Sequence, residues 1–222
     1  MPRTARAAKG GVIYHVFNRG NGRTKIFRKP GDYLSFVELL ITGKQRVAMD
    51  VFSFCLMPNH WHLVLRPRGD DDLAAYLSWV TNTHVKRYRV HYPQTVGHLY
   101  QGRYRSFPVA GGQYLVNLLR YVEANPLRAE LVKHAEDWPW SSLGIDKKLV
   151  SELLSPWPVA RPRDWRTMVN RPMEKPERER LVTSLKRGCP LGGDPWVTTI
   201  AEKMGLNYTL RPLGRPKKRV PI

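Results

Sequence analysis

Two histidines separated by one residue are the first feature of the sequence that could do chemistry. His60 and His62 flank Trp61 in a stretch of apolar and β-branched residues that predicts a strand. Side chains alternate along a strand, so both imidazoles project from one face and Trp61 from the other. Two imidazoles spaced by roughly 6–7 Å can converge on one divalent cation. The alternative is a pair of half-buried histidines, and no further ligand stands out on a later strand.

A tyrosine and an asparagine share one side of a helix predicted further along the chain. Tyr121 and Asn125 are four residues apart, and Tyr114 lies seven residues before Tyr121 on that same side. A tyrosine in such a helix is ordinarily a core or interface residue. Beside a bound cation, however, a phenolic oxygen can attack a phosphodiester and form a phosphotyrosine. The amide oxygen of Asn125 would then offer a third, hard ligand next to the two imidazoles.

The elements that must position these groups follow from hydrophobic periodicity and turn residues. The sequence predicts strands over 12–17, 47–57, 60–66 and 102–109, and helices over 32–44, from 70–72 to about 90, and from 113 to about 125. This order predicts an α+β fold, a ferredoxin-like or RRM-like antiparallel sheet with helices packed on one face.

The periodic pattern weakens after residues 138–140, and prolines become frequent. We therefore predict a catalytic domain over 1–147 and a basic, Pro-containing, DNA-contacting extension over 148–222. Periodic stretches over 179–185 and 196–204 predict that this extension is small and mostly helical.

The charge of the chain points to a polyanionic partner. Its 222 residues include 37 Lys and Arg against 18 Asp and Glu, a formal net charge of +19. Phosphate neutralisation by such a surplus favours nucleic acid, although a ribosome-associated or merely basic protein also fits. The 42% of hydrophobic residues excludes a disordered chain. Two distant cysteines and no apolar span or signal peptide lead us to expect a protein of a reducing cytoplasm and not of a membrane.

Several motifs occur together in the order of a known family. Residues 56–64 (LMPNHWHLV) and 120–129 (RYVEANPLRA) resemble the tyrosine HUH transposases, and most closely the REP-associated tyrosine transposases of bacteria. Residues 14–21 (YHVFNRGN) and 138–142 (WPWSS) match the same family. The resemblance covers about residues 10–145, and residues 188–218 loosely resemble the C-terminal extension of longer members.

The resemblance implies a single-stranded DNA endonuclease and strand transferase that works beside short palindromic hairpins without a nucleotide cofactor. His60 and His62 would hold Mg²⁺ or Mn²⁺, and Tyr121 would form a covalent 5′-phosphotyrosine and release a 3′-hydroxyl. Asn125 stands where compact relatives carry Gln, so a closer helix or a bridging water is needed there. The resemblance also implies the RRM-like sheet, and it favours a monomer over a dimer that donates the tyrosine helix across its interface.

Three clusters, residues 18–23, 86–89 and 101–105, interleave basic groups with amide or aromatic groups, a mixture typical of phosphate contact with base stacking. The tail, residues 213–219, adds basic groups that suit phosphate contact. The expected DNA contacts are Asn18, Arg19, Asn21, Arg23, Lys86, Arg87, Arg103, Arg105, Arg215 and Lys217. Residues 214–216 resemble the core of an AT-hook, but Leu213 stands where such hooks carry another Arg. A solvated basic face is the alternative for each cluster.

Three classes of function are compatible with these residues and motifs. The first is the strand transferase, the second a non-enzymatic RRM-like single-strand nucleic-acid-binding protein, and the third a metal hydrolase that activates water at His60 and His62. The pairing of Tyr121 with Asn125 favours the first class, because neither of the others needs it.

Overall fold

A four-stranded antiparallel sheet forms the centre of the structure, a computed structural model that describes residues 8–211. Its strands are β1 (Ile13–Arg19), β2 (Met49–Met57), β3 (His60–Pro67) and β4 (Arg105–Val109). They lie in the order β2-β3-β1-β4, with every neighbouring pair antiparallel. This is the strand order of a ferredoxin-like sheet, and it confirms the predicted α+β class.

Helices cover both faces of this sheet, whereas the sequence predicted helices on one face. Helices α1 (Pro30–Arg46) and α2 (Asp72–His91) pack on the face that carries Trp61, and α3 (Gln113–Glu123) packs on the opposite face. The reason lies in the burial of the strands on both faces, as β2 shows. Every residue of β2 is buried, so both faces of the strand need an apolar cover.

Five further α-helices follow α3 in the described part of the chain. They are α4 (Asn125–Arg128), α5 (Lys147–Leu153), α6 (Trp165–Asn170), α7 (Lys175–Arg187) and α8 (Asp194–Lys203). The predicted stretches 179–185 and 196–204 fall in α7 and α8, while α5 and α6 are too short to show a clear period. Within residues 8–211, no helix combines the length and apolar character needed to cross a membrane.

The segments after α4 pack against the sheet and protect its edges. Backbone groups of Trp140 and Ser142 hydrogen-bond to the outer edge of β2, and Leu191 bonds to the residues around the end of β4. The indole Nε1 of Trp157 donates to the carbonyl oxygen of Phe52 at 2.8 Å. Covered edges cannot pair with another chain, which limits aggregation. The boundary near residue 147 stays a prediction.

A buried carboxylate connects the tyrosine helix to these later segments. Glu123, at the end of α3, accepts hydrogen bonds from Ser142 Oγ at 2.6 Å and from Trp165 Nε1 at 2.7 Å. Burial raises the pKa of Glu123, and these two hydrogen bonds act against that rise. One side chain thus links α3, the segment that covers β2, and α6.

We expect Glu123→Gln to destabilise the protein, because an amide offers one acceptor oxygen where the carboxylate offers two. One buried donor loses its partner, which costs about 1–3 kcal/mol of unfolding free energy. Urea unfolding followed by circular dichroism measures the effect. Trp165→Phe is the matched variant, since it removes the indole N–H and keeps an aromatic ring. If Glu123→Gln and Trp165→Phe destabilise additively in the double variant, their hydrogen bond contributes nothing.

Candidate functional site

The two histidines of β3 lie on the α3 side of the sheet. His60 and His62 have ring centroids 5.1 Å apart at an angle of 86°, while Trp61 is buried on the other face against Phe36. Alternation along the strand produces this arrangement. The pair is therefore preorganised by the backbone of a central strand, which moves less than a loop.

Each imidazole uses its Nδ1 atom in a hydrogen bond and leaves Nε2 free. His60 Nδ1 lies 2.6 Å from Asn59 Oδ1, and His62 Nδ1 lies 3.0 Å from His15 Nε2. Such contacts fix the ring orientation and the tautomer of a metal-binding histidine. In the described part of the chain neither Nε2 has a hydrogen-bond partner. The Asn59 oxygen can only accept, so His60 carries its proton on Nδ1 and its Nε2 lone pair is free for a cation. The Nε2 lone pair of His62 is free in the tautomer whose Nδ1 donates to His15.

Both histidines are neutral at physiological pH. Burial, followed by the nearby charges of Arg19 and Arg128, lowers the pKa of His60 to about 4. Burial is the main cause that lowers the pKa of His62 well below its ordinary value, and repulsion from a protonated His60 adds to it. A neutral imidazole is the form that binds a metal ion, so no proton has to be displaced.

A third histidine, which the sequence reading did not assign to the site, lies behind the pair. His15 of β1 is completely buried and stacks on His62, with ring centroids 5.1 Å apart and planes 5° from parallel. Burial lowers the pKa of His15 to about 3. Alternation along β1 puts the side chain of His15 on the opposite face of the sheet from Tyr14 and Val16. Its position beside His62 depends on the pairing register of β1 with β3.

Tyr121 reaches the histidine pair from α3. Its ring meets the ring of His62 edge to face, with centroids 6.3 Å apart, and the guanidinium carbon of Arg128 lies 3.8 Å from the centre of the Tyr121 ring. Tyr114 lies elsewhere. Its hydroxyl accepts a hydrogen bond from Arg180 at 3.0 Å, in a cavity between α3 and α7.

Asn125 occupies a different setting from the single long helix that the sequence predicts. Helix α3 ends at Glu123, so Asn125 begins α4. The amide nitrogen of Asn125 donates to the carbonyl oxygens of Tyr121 and Val122 at 3.3 and 3.2 Å. Its oxygen accepts from Arg128 Nη2 at 2.8 Å. An amide oxygen has two lone pairs, so one remains for a further partner.

The donor set fits a divalent cation that keeps several ligands from water or substrate. Among residues 8–211, no group of three or more His, Cys, Asp or Glu side chains could hold a metal ion. The histidine pair instead offers two neutral imidazoles, while the oxygen of Asn125 is held by Arg128, which also stacks on Tyr121. Two imidazoles leave most coordination positions of a divalent cation to oxygen atoms of water and phosphate.

A basic cavity of about 420 Å³ opens beside the histidines. Its lining includes Phe17, Asn18, Arg19, His60, His62, Gln101, Arg103 and Arg105. Four of the expected DNA contacts thus share the cavity with the histidine pair. The amide nitrogen of Asn18 donates to the carbonyl oxygen of Gly102 at 3.2 Å. This hydrogen bond holds the loop around Gly102, so Asn18 has less donor capacity left for DNA.

The other expected DNA contacts lie farther away or outside the described residues. Asn21 and Arg23 form a tight turn after β1, and Asn21 lines a separate cavity. Lys86 and Arg87 are exposed on α2, which covers the face opposite the histidine pair. Arg215 and Lys217, with the AT-hook-like residues 214–216, lie outside the described residues.

We expect acid to destabilise the fold through its buried histidines. Burial lowers the pKa of His15 and His84 to about 3 and that of His60 to about 4, against 6.5 in an unfolded chain. Below pH 6.5 the unfolded chain therefore binds more protons. The unfolding free energy falls from pH 6.5 to 4.5, by up to about 1.4 kcal/mol per pH unit for each histidine.

Urea unfolding at constant ionic strength across this pH range measures the slope. His84→Gln is a suitable control, because His84 bonds to the hydroxyl of Tyr100 on the face away from the histidine pair. In this variant, the slope of the unfolding free energy against pH should decrease by the contribution of about one proton. A stability that stays constant from pH 6.5 to 4.5 would contradict the expectation.

The sheet is ferredoxin-like, and it carries two neutral imidazoles beside a tyrosine of a neighbouring helix. This combination is typical of a class of DNA-processing enzymes, the Y1 transposases. A family model described as "Transposase IS200 like" matches residues 8–125, more than half of the chain. The chain belongs to this family and is an enzyme of the transposase class. The resemblance found in the sequence is thereby confirmed.

Individual relatives agree with this assignment. The REP-associated tyrosine transposase of Escherichia coli (strain K12) is 23% identical over 139 residues, which cover 62% of this chain and 79% of the relative. A relative from Haemophilus influenzae is 24% identical over 110 residues, 45% of this chain and 61% of its own length. A solved REP-associated tyrosine transposase bound to a REP hairpin has the same fold, with a TM-score of 0.53, 20% identity and coverage of 72% of this chain and 95% of that one.

Proposed function

We propose that the chain is a metal-dependent single-stranded DNA endonuclease and strand transferase that acts beside short palindromic hairpins through a covalent 5′-phosphotyrosine. The observation that carries this proposal is the contact between the rings of Tyr121 and His62. The contact supports the proposal because a phenol beside imidazoles that can hold a cation suits nucleophilic attack, and a hydrolase or a simple binding protein has no use for that combination.

The covalent step balances without an external energy source. The Oη atom of Tyr121 forms a bond to the scissile phosphorus, and the bond between phosphorus and the 3′-oxygen breaks. The phenol loses one proton and the leaving 3′-hydroxyl gains one. Since the phosphotyrosine is itself a phosphodiester, a 3′-hydroxyl can reverse the step and join two strands without a nucleotide cofactor.

His60 and His62 would hold Mg²⁺ or Mn²⁺ through their Nε2 atoms, and Asn125 would contribute the remaining lone pair of its amide oxygen. The cation, when bound, supplies charge stabilisation at the scissile phosphate and the leaving oxygen. His15 and Asn59 keep the two imidazoles oriented through their Nδ1 hydrogen bonds.

The cavity beside the histidines would take the DNA backbone. Arg19, Arg103 and Arg105 line it and supply phosphate contacts. The relative bound to a REP hairpin supports a REP-like palindrome as the DNA partner. Because Tyr121 contacts a histidine of its own chain, we favour a monomer that cuts in cis, working in the bacterial cytoplasm at the nucleoid.

We further propose that residues 1–147 form the catalytic domain and that residues 148–222 form an extension that adds DNA contacts. The basic tail, including Arg215 and Lys217, would contact phosphate near the hairpin. Lys86 and Arg87 would contact a DNA strand that extends beyond the cavity and around to the far face of the sheet.

The deciding experiment uses a pool of labelled hairpin oligonucleotides with randomised single-stranded flanks, incubated with the protein and Mn²⁺. We expect a protein–DNA adduct that survives denaturing electrophoresis and disappears after protease treatment. Sequencing of the trapped strands then maps the cleavage position. Free cleavage products without an adduct would favour a metal hydrolase, and a shift only on native gels would favour the non-enzymatic binding protein.

A further inference from the structure

Two guanidinium groups flank the histidine pair without a carboxylate to neutralise them. The charges of Arg19 and Arg128 both act on His60 and His62. Within residues 8–211, the ion pairs involve other residues, and neither guanidinium has an acidic partner within 4.0 Å. The Nε atom of Arg19 is buried and has no hydrogen-bond partner in this part of the chain. Unneutralised positive charge around a cleft indicates a site for an anion.

Arg128 is held rigidly on the nucleophile. Its guanidinium stacks on the Tyr121 ring, while Nη1 donates to the carbonyl oxygen of Tyr121 at 2.8 Å and Nη2 donates to Asn125 Oδ1 at 2.8 Å. A guanidinium carries five N–H groups, and these contacts use two of them. The residue is exposed to solvent, so its remaining donors are accessible to DNA.

We propose that Arg128 is a further catalytic residue, which binds a non-bridging oxygen of the scissile phosphate from the Tyr121 side. The proposal rests on the proposed function. When Tyr121 Oη attacks and the 3′-oxygen leaves, negative charge develops on the non-bridging oxygens. A guanidinium that is already fixed in place stabilises this charge without reorganisation. Short helix α4 serves to bring Arg128 back over the ring.

A purely structural role would also place a cation at the end of a helix, where it satisfies free carbonyl oxygens. The two roles differ in their dependence on the charge of the substrate. Phosphate stabilisation needs the charged non-bridging oxygen, whereas support of α3 does not. A methylphosphonate at the scissile position removes that charge and leaves the geometry of attack nearly unchanged.

The experiment compares the wild type with Arg128→Ala and Arg128→Lys in single-turnover adduct formation on the mapped hairpin. The scissile linkage is either phosphate or methylphosphonate, with both stereoisomers measured. On phosphate we expect a loss of about 10²–10³-fold for Arg128→Ala and about tenfold for Arg128→Lys, with hairpin Kd within twofold. On one methylphosphonate isomer the ratio of wild type to Arg128→Ala should fall to within about threefold, since the interaction being removed no longer exists there.

Arg120→Ala is the matched control, because Arg120 also lies near the end of α3 and donates to the backbone carbonyl oxygens of Arg171 and Pro172. Its ratio to the wild type should be the same on both substrates. The inference is overturned if Arg128→Ala cleaves phosphate at the wild-type rate, or loses the same factor on phosphate and methylphosphonate. A wild type that forms no adduct on any hairpin would instead overturn the proposed function, and the inference with it.

Discussion

We expect Tyr121→Phe to remove the covalent protein–DNA adduct and to lower strand cleavage by more than about 10³-fold, because the variant lacks the oxygen that attacks phosphorus in the proposed mechanism. Hairpin affinity stays within about twofold. The ring remains, and with it the contacts to His62 and Arg128 that the phenyl group makes. Denaturing gels for the adduct and fluorescence anisotropy for hairpin binding measure the two quantities separately.

Tyr114→Phe provides the control for this prediction. The hydroxyl of Tyr114 bonds to Arg180, and its ring lines a cavity between α3 and α7. Its replacement should leave adduct formation within about twofold of the wild type, as expected for a surface hydrogen bond outside the site. Retained cleavage in Tyr121→Phe, together with loss in Tyr114→Phe, would assign the nucleophile to Tyr114.

His60→Ala and His62→Ala each remove one of the two imidazoles proposed to hold the cation and should lower cleavage by about 10²–10³-fold at saturating Mn²⁺. Binding of Mn²⁺, followed by electron paramagnetic resonance or calorimetry, should weaken in parallel. This second measurement does not depend on DNA cleavage. It therefore reports directly on whether the imidazoles hold the cation.

His98→Ala is the matched histidine control, since His98 lines a separate cavity with Tyr88 and Tyr92. It should bind Mn²⁺ and cleave DNA as the wild type does. Wild-type cleavage that continues undiminished in excess EDTA would rule out the metal site. Loss of cleavage in His60→Ala with unchanged Mn²⁺ binding would assign His60 a role other than that of ligand.

The local elements were predictable because their signals are local. The period of two over residues 60–66 places His60 and His62 on one side of a strand and Trp61 on the other, and the structure agrees. The period of the tyrosine helix likewise predicts α3. Hydrophobic alternation and helical spacing are set by neighbours in the chain, so they can be read before the fold is known.

The prediction that Asn125 is a third metal ligand shows the limit of inference from local spacing. Spacing of four residues puts Asn125 on the same side as Tyr121 in an unbroken helix, but the helix breaks at Ala124, and Asn125 begins α4. Its amide then bonds to Arg128 and to the carbonyl oxygens at the end of α3. Pro126 explains the break, since it lacks the N–H that a continuing helix requires.

The sequence by itself determined the four strands, the helices up to α3 and the residue types that could cut DNA, because periodicity, turns and motifs are properties of neighbouring residues. Only the tertiary structure decided that helices cover both faces, that His15 lies behind His62, and that Arg128 stacks on Tyr121. Those contacts depend on strand register and on the path of the chain after α3. They join residues whose proximity no local pattern encodes.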